Sequence, residues 1–296
     1  MRTNTLISGF TFIKNGLTLG YPIKESIESI EPLCDEIIIN VGHDDPEFQK
    51  DDGTWDFLHD HFNHPKFKFI KSWWDPRVSS RGLILSQQTN IALDKCSGKY
   101  CQYIQGDEII HEDDLRNIHN AVMEMEQDQS IDGLVFDYLH FYGNVDIVKQ
   151  TRNIYRREVR LIRGQKGVRS WLDAQGFRHK DNSKLRCKRV NARIFHYGWA
   201  RREQIMNSKV SAMNKLYHGR RHESPMFEYE KIWGLKQFNG AHPKVMENWV
   251  KENNNNINLP GLKMRHEWKN VGLAISDCIE AITGHRLGEY KNYKLF

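Results

Sequence analysis

Residues 99–115 read KYCQYIQGDEIIHEDDL: an apolar run, a single glycine, then a crowd of acids. Tyr100, Tyr103 and Ile104 have the character of a buried strand, Asp107 and Glu108 close it, and His111, Glu112, Asp113 and Asp114 follow at once. One reading is local: the strand stops and a charged loop opens the next helix. The other is chemical, because open α/β sheets place their ligands beyond the carboxyl ends of their strands. The flanking sequence has to decide.

Upstream, strand-like runs recur at regular spacing: TLISGFTFI (5–13), DEIIINVG (35–42), KFKFIKS (66–72) and YCQYIQ (100–105). Between the first two lies YPIKESIESIEPL, with Ile23, Ile27, Ile30 and Leu33 at helical spacing and Pro22 suited to a first turn. LILSQQTNIALDKCSG predicts a helix before the fourth strand, with Gly98 as its C-terminal cap. Alternating strands and helices imply βαβ crossovers and a mainly parallel sheet. Downstream, an acidic helix is expected over about 112–127 and a fifth strand over 132–141. Residues 157–163 and 185–198 read as further strands separated by a basic, glycine-rich loop, 201–217 as a helix, Asn253–Asn256 as a polar loop and about 271–283 as a last helix.

At 296 residues, 39% hydrophobic and 27% charged, the chain has the composition of an ordinary globular protein with a substantial core. No uninterrupted apolar stretch approaches the roughly 18 residues that span a bilayer, and the N-terminal run is too short for a signal peptide. Five cysteines without a CxxC pair suit free thiols in a reducing compartment, so a cytoplasmic location is expected. The net charge of +5 hides an asymmetry. Between Lys149 and Glu223 stand 21 Lys and Arg against five Asp and Glu; the rest of the chain holds 22 against 33. Such a block suits the phosphates of a nucleotide, a lipid headgroup at a membrane surface or a nucleic acid, or else is a solvated basic face.

Two clusters can carry chemistry. The loop VGHDDPEFQKDDGT (41–54) offers Asp44 and Asp45 to a base or ribose, although a plain Asp- and Gly-rich turn has the same composition. Asp107 and Glu108 can supply a carboxylate to Mg²⁺ or Mn²⁺, which usually takes one or two acids and fills its other positions with phosphate oxygens. Adjacent residues of an extended strand face opposite ways, so only one of the pair reaches such an ion.

The segment from Ser80 to Asp107 resembles the nucleotide-sugar half of family 2 glycosyltransferases with the GT-A fold. Arg81-Gly82, Asn90-Ile91-Ala92, Gly98-Lys99-Tyr100 and Gln105-Gly106-Asp107 stand where that family has its Arg-Gly start, Asn-x-Ala helix, Gly-x-Tyr turn and Asp-x-Asp strand end. SGFTFIKNG and VGHDD fit its first two strands, and HFYG, DAQGF and HYGW resemble an uncharacterised bacterial branch of it. The likeness covers roughly residues 5 to 205.

The resemblance implies an α/β, GT-A type domain over 1–205, with a nucleotide-sugar half to about 130 and an acceptor half to 205. A mostly helical extension, 206–296, packs on it. It further implies a metal-dependent, inverting transfer from a nucleotide-sugar to a glycan, lipid-linked or other hydroxyl acceptor. Donor contacts fall on Phe10, Asp44, Asp45, Arg81, Asn90, Gln105 and Asp107, with Arg169, Arg178 and Arg201 as diphosphate clamps. Asp107 and His196 are the implied ligands of Mn²⁺ or Mg²⁺, His196 being equally a packed, hydrogen-bonded histidine. The base is Asp173, beside Trp171, unless Asp173 only pairs with Arg169 or Arg178; Asp137 and Glu108 are the alternatives. His140, Tyr142 and Trp171 face the acceptor. One departure stands out: Gln105 replaces the first acid of Asp-x-Asp, so the charge rests on Asp107. Three other readings stay open: a nucleic-acid-binding or DNA-glycosylating protein using the basic block, a nucleotidyltransferase, and an inactive interaction module. SGFTFIKNG has few glycines for the phosphate loop of a nucleotidyltransferase.

Overall fold

The computed structural model describes residues 6–78, 81–164, 167–219, 222–255, 257–261, 264, 268–286 and 288–296. Thr5 of the first expected strand, Ser80 at the start of the resembling segment and Asn256 of the polar loop lie outside the described residues.

The chain alternates as its apolar runs predict. The first half gives β1 (Ile7–Ile13), α1 (Ile23–Ile30), β2 (Glu36–His43), α2 (Thr54–His61), β3 (Phe67–Trp73), α3 (Leu83–Leu93), β4 (Tyr100–Tyr103), β5 (Glu108–Ile110) and α4 (Leu115–Gln127). The second half gives β6 (Gly133–Tyr142), β7 (Asn144–Lys149), β8 (Arg157–Arg163), β9 (Val168–Trp171), β10 (Gly176–His179), β11 (Arg186–Trp199), α5 (Glu203–His218), β12 (Leu235–Gln237), α6 (Glu247–Asn253), α7 (Trp268–Thr283) and β13 (Lys294–Leu295). Eleven of these strands form one sheet, whose main path is β12-β7-β6-β8-β4-β1-β2-β3. From β3 to β4 the strands are parallel, with helices as crossovers. β8 then runs antiparallel between β4 and β6. β9 and β10 form a separate hairpin.

β2 is buried along its whole length, the mark of a strand covered on both faces. Ile37, Ile38 and Ile39 are fully enclosed, and each contributes roughly 1.5–3 kcal/mol through burial. α1 presents Ile23, Ile27 and Ile30 to the core, which is why its apolar spacing is readable.

The order β3-β2-β1-β4 turns back on itself between β1 and β4. The chain moves outward from β1 to β3, then returns to the other side of β1. Such a switch point opens a crevice at the carboxyl ends of the two strands.

Two expectations change in detail. The helix expected over 83–98 ends at Leu93, and Gly98 is not its cap. Instead Glu36 accepts hydrogen bonds from the Ser97 N–H and Oγ, and the Gly98 N–H donates to Ser8 Oγ, pulling this segment into a turn. The C-terminal extension holds α5, α6 and α7 but also adds strands to the sheet, β12 onto β7 and β13 onto β11. Residue 205 falls inside the first turn of α5.

The basic block folds against the acidic remainder. Arg156 pairs with Glu280 and Glu289, Arg157 and Arg189 with Asp137, Arg160 with Glu108, Arg169 with Asp94, Lys188 with Glu124, and Arg193 with Asp114. Every one of these acids lies outside residues 149–223, so part of the sequence asymmetry is an internal complementarity.

Candidate functional site

A cavity of about 820 Å³ opens at the switch point. Phe12 to Asn15 at the end of β1 and Gln105 to Asp107 after β4 form its floor, and α5 closes it with Lys209, Met213 and Tyr217. Asp44 and Trp74, after β2 and β3, line one end. His140, Tyr155, Asp173 and His196 line another part of the wall.

The end beside Asp44 is aromatic. Trp74 lies near Phe12, with ring centroids 5.9 Å apart, and Phe12 stacks near Tyr103 at 6.5 Å. Gly42 makes room for this wall: a Cβ there would stand 2.2 Å from Trp74 Nε1. That Nε1–H is buried without a hydrogen-bond partner, a donor in search of an acceptor. Lys14 pairs with Asp44 and stands 5.5 Å from the Trp74 ring.

Asp107 is held from several sides. Ser26 Oγ of α1 donates to the Gln105 carbonyl (2.8 Å), and the Tyr197 N–H of β11 donates to the Asp107 carbonyl (2.9 Å). Its carboxylate Oδ2 accepts from Lys209 Nζ at 3.0 Å and Arg201 Nη2 at 3.4 Å, with His196 Nε2 at 3.7 Å. Burial alone would raise this carboxyl, but Lys209, His196 and Arg201 around it override burial and hold Asp107 well below the usual carboxylate range. Burial pulls Lys209 down to about 8 against the opposing charge of Asp107. Glu108 has different partners: Asp107 lies in the turn closed by the Glu108 N–H on the Gln105 carbonyl (2.9 Å), and Glu108 opens β5. It binds Arg160 at 2.7 and 2.8 Å and accepts from Tyr138 Oη at 2.8 Å, with both members of the ion pair fully buried.

The histidines form a chain whose tautomers follow from their partners. His140 Nε2–H donates to the Tyr155 carbonyl (2.8 Å), which leaves its Nδ1 to accept from His196 Nδ1–H at 2.9 Å. Burial pulls both rings toward the neutral form. His196 turns its Nε2 toward Asp107, whose charge opposes the effect of burial on the ring. Sheet register explains the grouping: His196 of β11 is paired with Glu108 of β5 on one side and His140 of β6 on the other.

Asp173 sits at the tip of the β9–β10 hairpin and accepts a hydrogen bond from Tyr217 Oη at 3.0 Å. Leu172 and Ala174 on either side have φ of 51° and 61°. Two non-glycine residues in the left-handed region cost of order 1 kcal/mol or more each, a strain found mostly at functional loops. Asn90 of α3 braces the hairpin: its Oδ1 accepts from the Ser170 N–H (2.9 Å) and its Nδ2 donates to the Ser170 carbonyl (3.3 Å).

The cavity thus gathers Asp44, Gln105, Asp107, His140, Asp173 and His196 from the sequence candidates, with Arg201 behind Asp107. Others are placed elsewhere. Phe10 is a core residue packed on Tyr103 and Phe177. Asp45 accepts from the Gln49 and Lys50 N–H groups in its own turn. Arg81 is exposed outside the cavity wall. Neither Asp137, paired with Arg157 and Arg189, nor Glu108, locked on Arg160, lines the cavity as a base would. Arg169 pairs with Asp94, and Arg178 binds Asn292 and Tyr290 while covering Trp171, so neither arginine clamps a ligand in the cavity or pairs with Asp173. Tyr142 packs on Tyr229 and donates to the Glu230 carbonyl.

Lys209, Trp74 and Tyr217 are the residues that sequence reasoning missed. Lys209 had a signal: it sits three residues after Met206 and four before Met213, a lysine on the apolar face of a helix.

The divalent ion implied by the resemblance does not fit this donor set. Its carboxylate already has two cationic partners, and Gln105 adds no charge. Two unit charges about 4 Å apart repel by roughly 4 kcal/mol at an effective dielectric near 20, and a dication beside Lys209 would roughly double that. Among the described residues no three Asp, Glu, His or Cys side chains are grouped to share an ion.

No known protein family and no curated protein matches the chain by sequence. Among solved structures, the chain is similar to residues 1–349 of S. aureus TarS, at 14% identity and a TM-score of 0.34 over 54% of this chain and 47% of that one. The same protein in complex with UDP-GlcNAc gives 17% identity and a TM-score of 0.33 over 50% and 38%. The mannosyltransferase PcManGT from Pyrobaculum calidifontis, in complex with GDP-Man and Mn²⁺, gives 16% and 0.31 over 45% and 35%. The chain spans less than half the length of each, and a functional reading has to rest on the site itself.

Proposed function

We propose that the protein is a glycosyltransferase that moves a sugar from a nucleotide-sugar donor to a hydroxyl acceptor of the glycan or lipid-linked type. The observation that carries this reading is one cavity with two chemically distinct ends at the switch point of the sheet. Its aromatic end, with Phe12, Trp74 and Asp44, suits a base and ribose. Its centre holds Asp107 with buried cations, where a diphosphate would need positive charge. Beyond lies Asp173, held by the Tyr217 hydroxyl.

In an inverting transfer, Asp173 takes the acceptor hydroxyl proton while the acceptor oxygen attacks the anomeric carbon. The anomeric carbon–oxygen bond breaks, and its electron pair leaves with the nucleoside diphosphate. His140 and Tyr155 lie where they can orient the acceptor. Part of the basic block is met by the chain's own acids, which favours the cavity over the block as the seat of function. Among the described residues no helix is long and apolar enough to cross a membrane, so contact with a lipid-linked acceptor would be peripheral.

The test is a panel of UDP-, GDP- and dTDP-sugars incubated with the full chain, reading the released nucleoside diphosphate with and without Mn²⁺. Release from one nucleotide class is expected. A chain that neither binds nor turns over any of the panel is not a glycosyltransferase of this kind.

A further inference from the structure

The charge pattern at the donor site differs from the one the resemblance implies, and the difference is chemically coherent. Gln105 is neutral where the family has an acid, and Asp107 is the one carboxylate left. Lys209 uses one N–H on Asp107 Oδ2 (3.0 Å) and another on the Gly198 carbonyl (2.6 Å), while its side chain lines the cavity. Its ammonium therefore retains a third donor. Arg201, fully buried, donates from Nη2 to Asp107 (3.4 Å) and from Nη1 to the Leu19 carbonyl (2.8 Å), with its face 4.1 Å from the Tyr21 ring centroid. Its Nε–H has no partner. One acid with two fixed cations leaves a net charge of +1, the same as one carboxylate holding a dication.

We propose that Lys209, anchored on Asp107 and backed by Arg201, is the diphosphate-binding cation of this site and stands in place of a divalent metal, so that donor binding needs no added ion. The inference rests on the nucleotide-sugar reading and specifies how that donor is held. Lys209 donates a charge-assisted hydrogen bond to a diphosphate oxygen, and the bond strengthens as the anomeric carbon–oxygen bond breaks and charge collects on the leaving oxygen. Lys209 keeps its proton throughout; the proton that moves is the acceptor's. Arg201 is a positioning residue that acts through Asp107. Gly198 completes the arrangement, since a Cβ there would stand 2.5 Å from His196 Nε2 and 2.9 Å from Asp107 Oδ2.

The experiment is calorimetry of the full chain with UDP, GDP and dTDP, in EDTA and again with Mn²⁺. The wild type is expected to bind one of them equally well, within about threefold, in both buffers. Lys209→Met, checked for folding by circular dichroism, should weaken that binding roughly tenfold or more, the scale of a hydrogen bond to a charged group. Binding that appears only with Mn²⁺ or Mg²⁺ overturns this inference and leaves the glycosyltransferase reading standing. Equal binding by a folded Lys209→Met also overturns it. Binding to none of the nucleotides in either buffer overturns both. If Lys209→Met does not fold, the wild-type comparison in the two buffers decides alone.

Discussion

Asp173 stands between two backbone outliers, Leu172 and Ala174, and receives its hydrogen bond from Tyr217, a residue of another element. A carboxylate fixed in this way is positioned for the acceptor and not for the diphosphate. Asp173→Asn should therefore lower turnover at saturating donor by roughly 10²-fold or more, the usual scale of general base catalysis, and leave donor Kd nearly unchanged. Weakened donor binding with near-normal turnover would remove Asp173 as the base. Glu158 carries a different signature. Burial raises its carboxyl from 4.5 to about 7, despite Arg160 and the hydrogen bond from Gln175, and its Oε2 has no partner. The folded chain thus holds a proton there that the unfolded chain has lost. Stability from this group is full below about 4.5, falls as pH rises through about 7 and is flat beyond, a loss of roughly 3 kcal/mol. Glu158→Gln keeps the bond from Gln175 and should abolish that slope. Urea denaturation at pH 5 and pH 8 checks it: the variant's gain over the wild type should appear only at the higher pH.

The β9–β10 hairpin carries Asp173, the proposed base, and Asn90 ties it to α3 through the Ser170 backbone. Asn90→Ala should cost roughly 1–3 kcal/mol in denaturant stability. It should also lower saturated turnover while leaving donor Kd unchanged; a shifted donor Kd would return Asn90 to the donor contacts expected from sequence. The parallel strands were legible because strands buried on both faces leave contiguous apolar runs, as in EIIINV of β2. Asp107 and Glu108 do find different partners, but through the turn at 105–108 and not through the alternation expected of an extended chain. What stayed hidden were the partners of the charges. Arg169 finds Asp94, Arg178 finds Asn292, and Lys209 finds Asp107 across 102 residues. No local pattern encodes such pairings, and the metal expectation rested on an acid whose counter-ions were out of sight.

At the scale of the molecule, the basic block is a seam between the two ends of the chain. Arg156 reaches Glu280 and Glu289, and Arg178 reaches Asn292. Such a surface should bind duplex DNA weakly and without saturation near physiological salt, as checked by fluorescence anisotropy; tight binding with a steep salt dependence would reinstate the nucleic-acid reading. The same long-range character extends to the cavity. β11 is the strand that joins β5 to β6, and the His140–His196 contact it completes spans 56 residues; α5, which follows it, adds the Asp107–Lys209 contact across 102. Contacts so distant along the chain close late, because loop entropy must be overcome before they are rewarded. During refolding the protein should regain most of its secondary structure while still blind to nucleotide. Stopped-flow circular dichroism and nucleotide binding followed side by side should then diverge, with recognition arriving in the slowest phase: the time at which this protein becomes functional is set by when β11 docks.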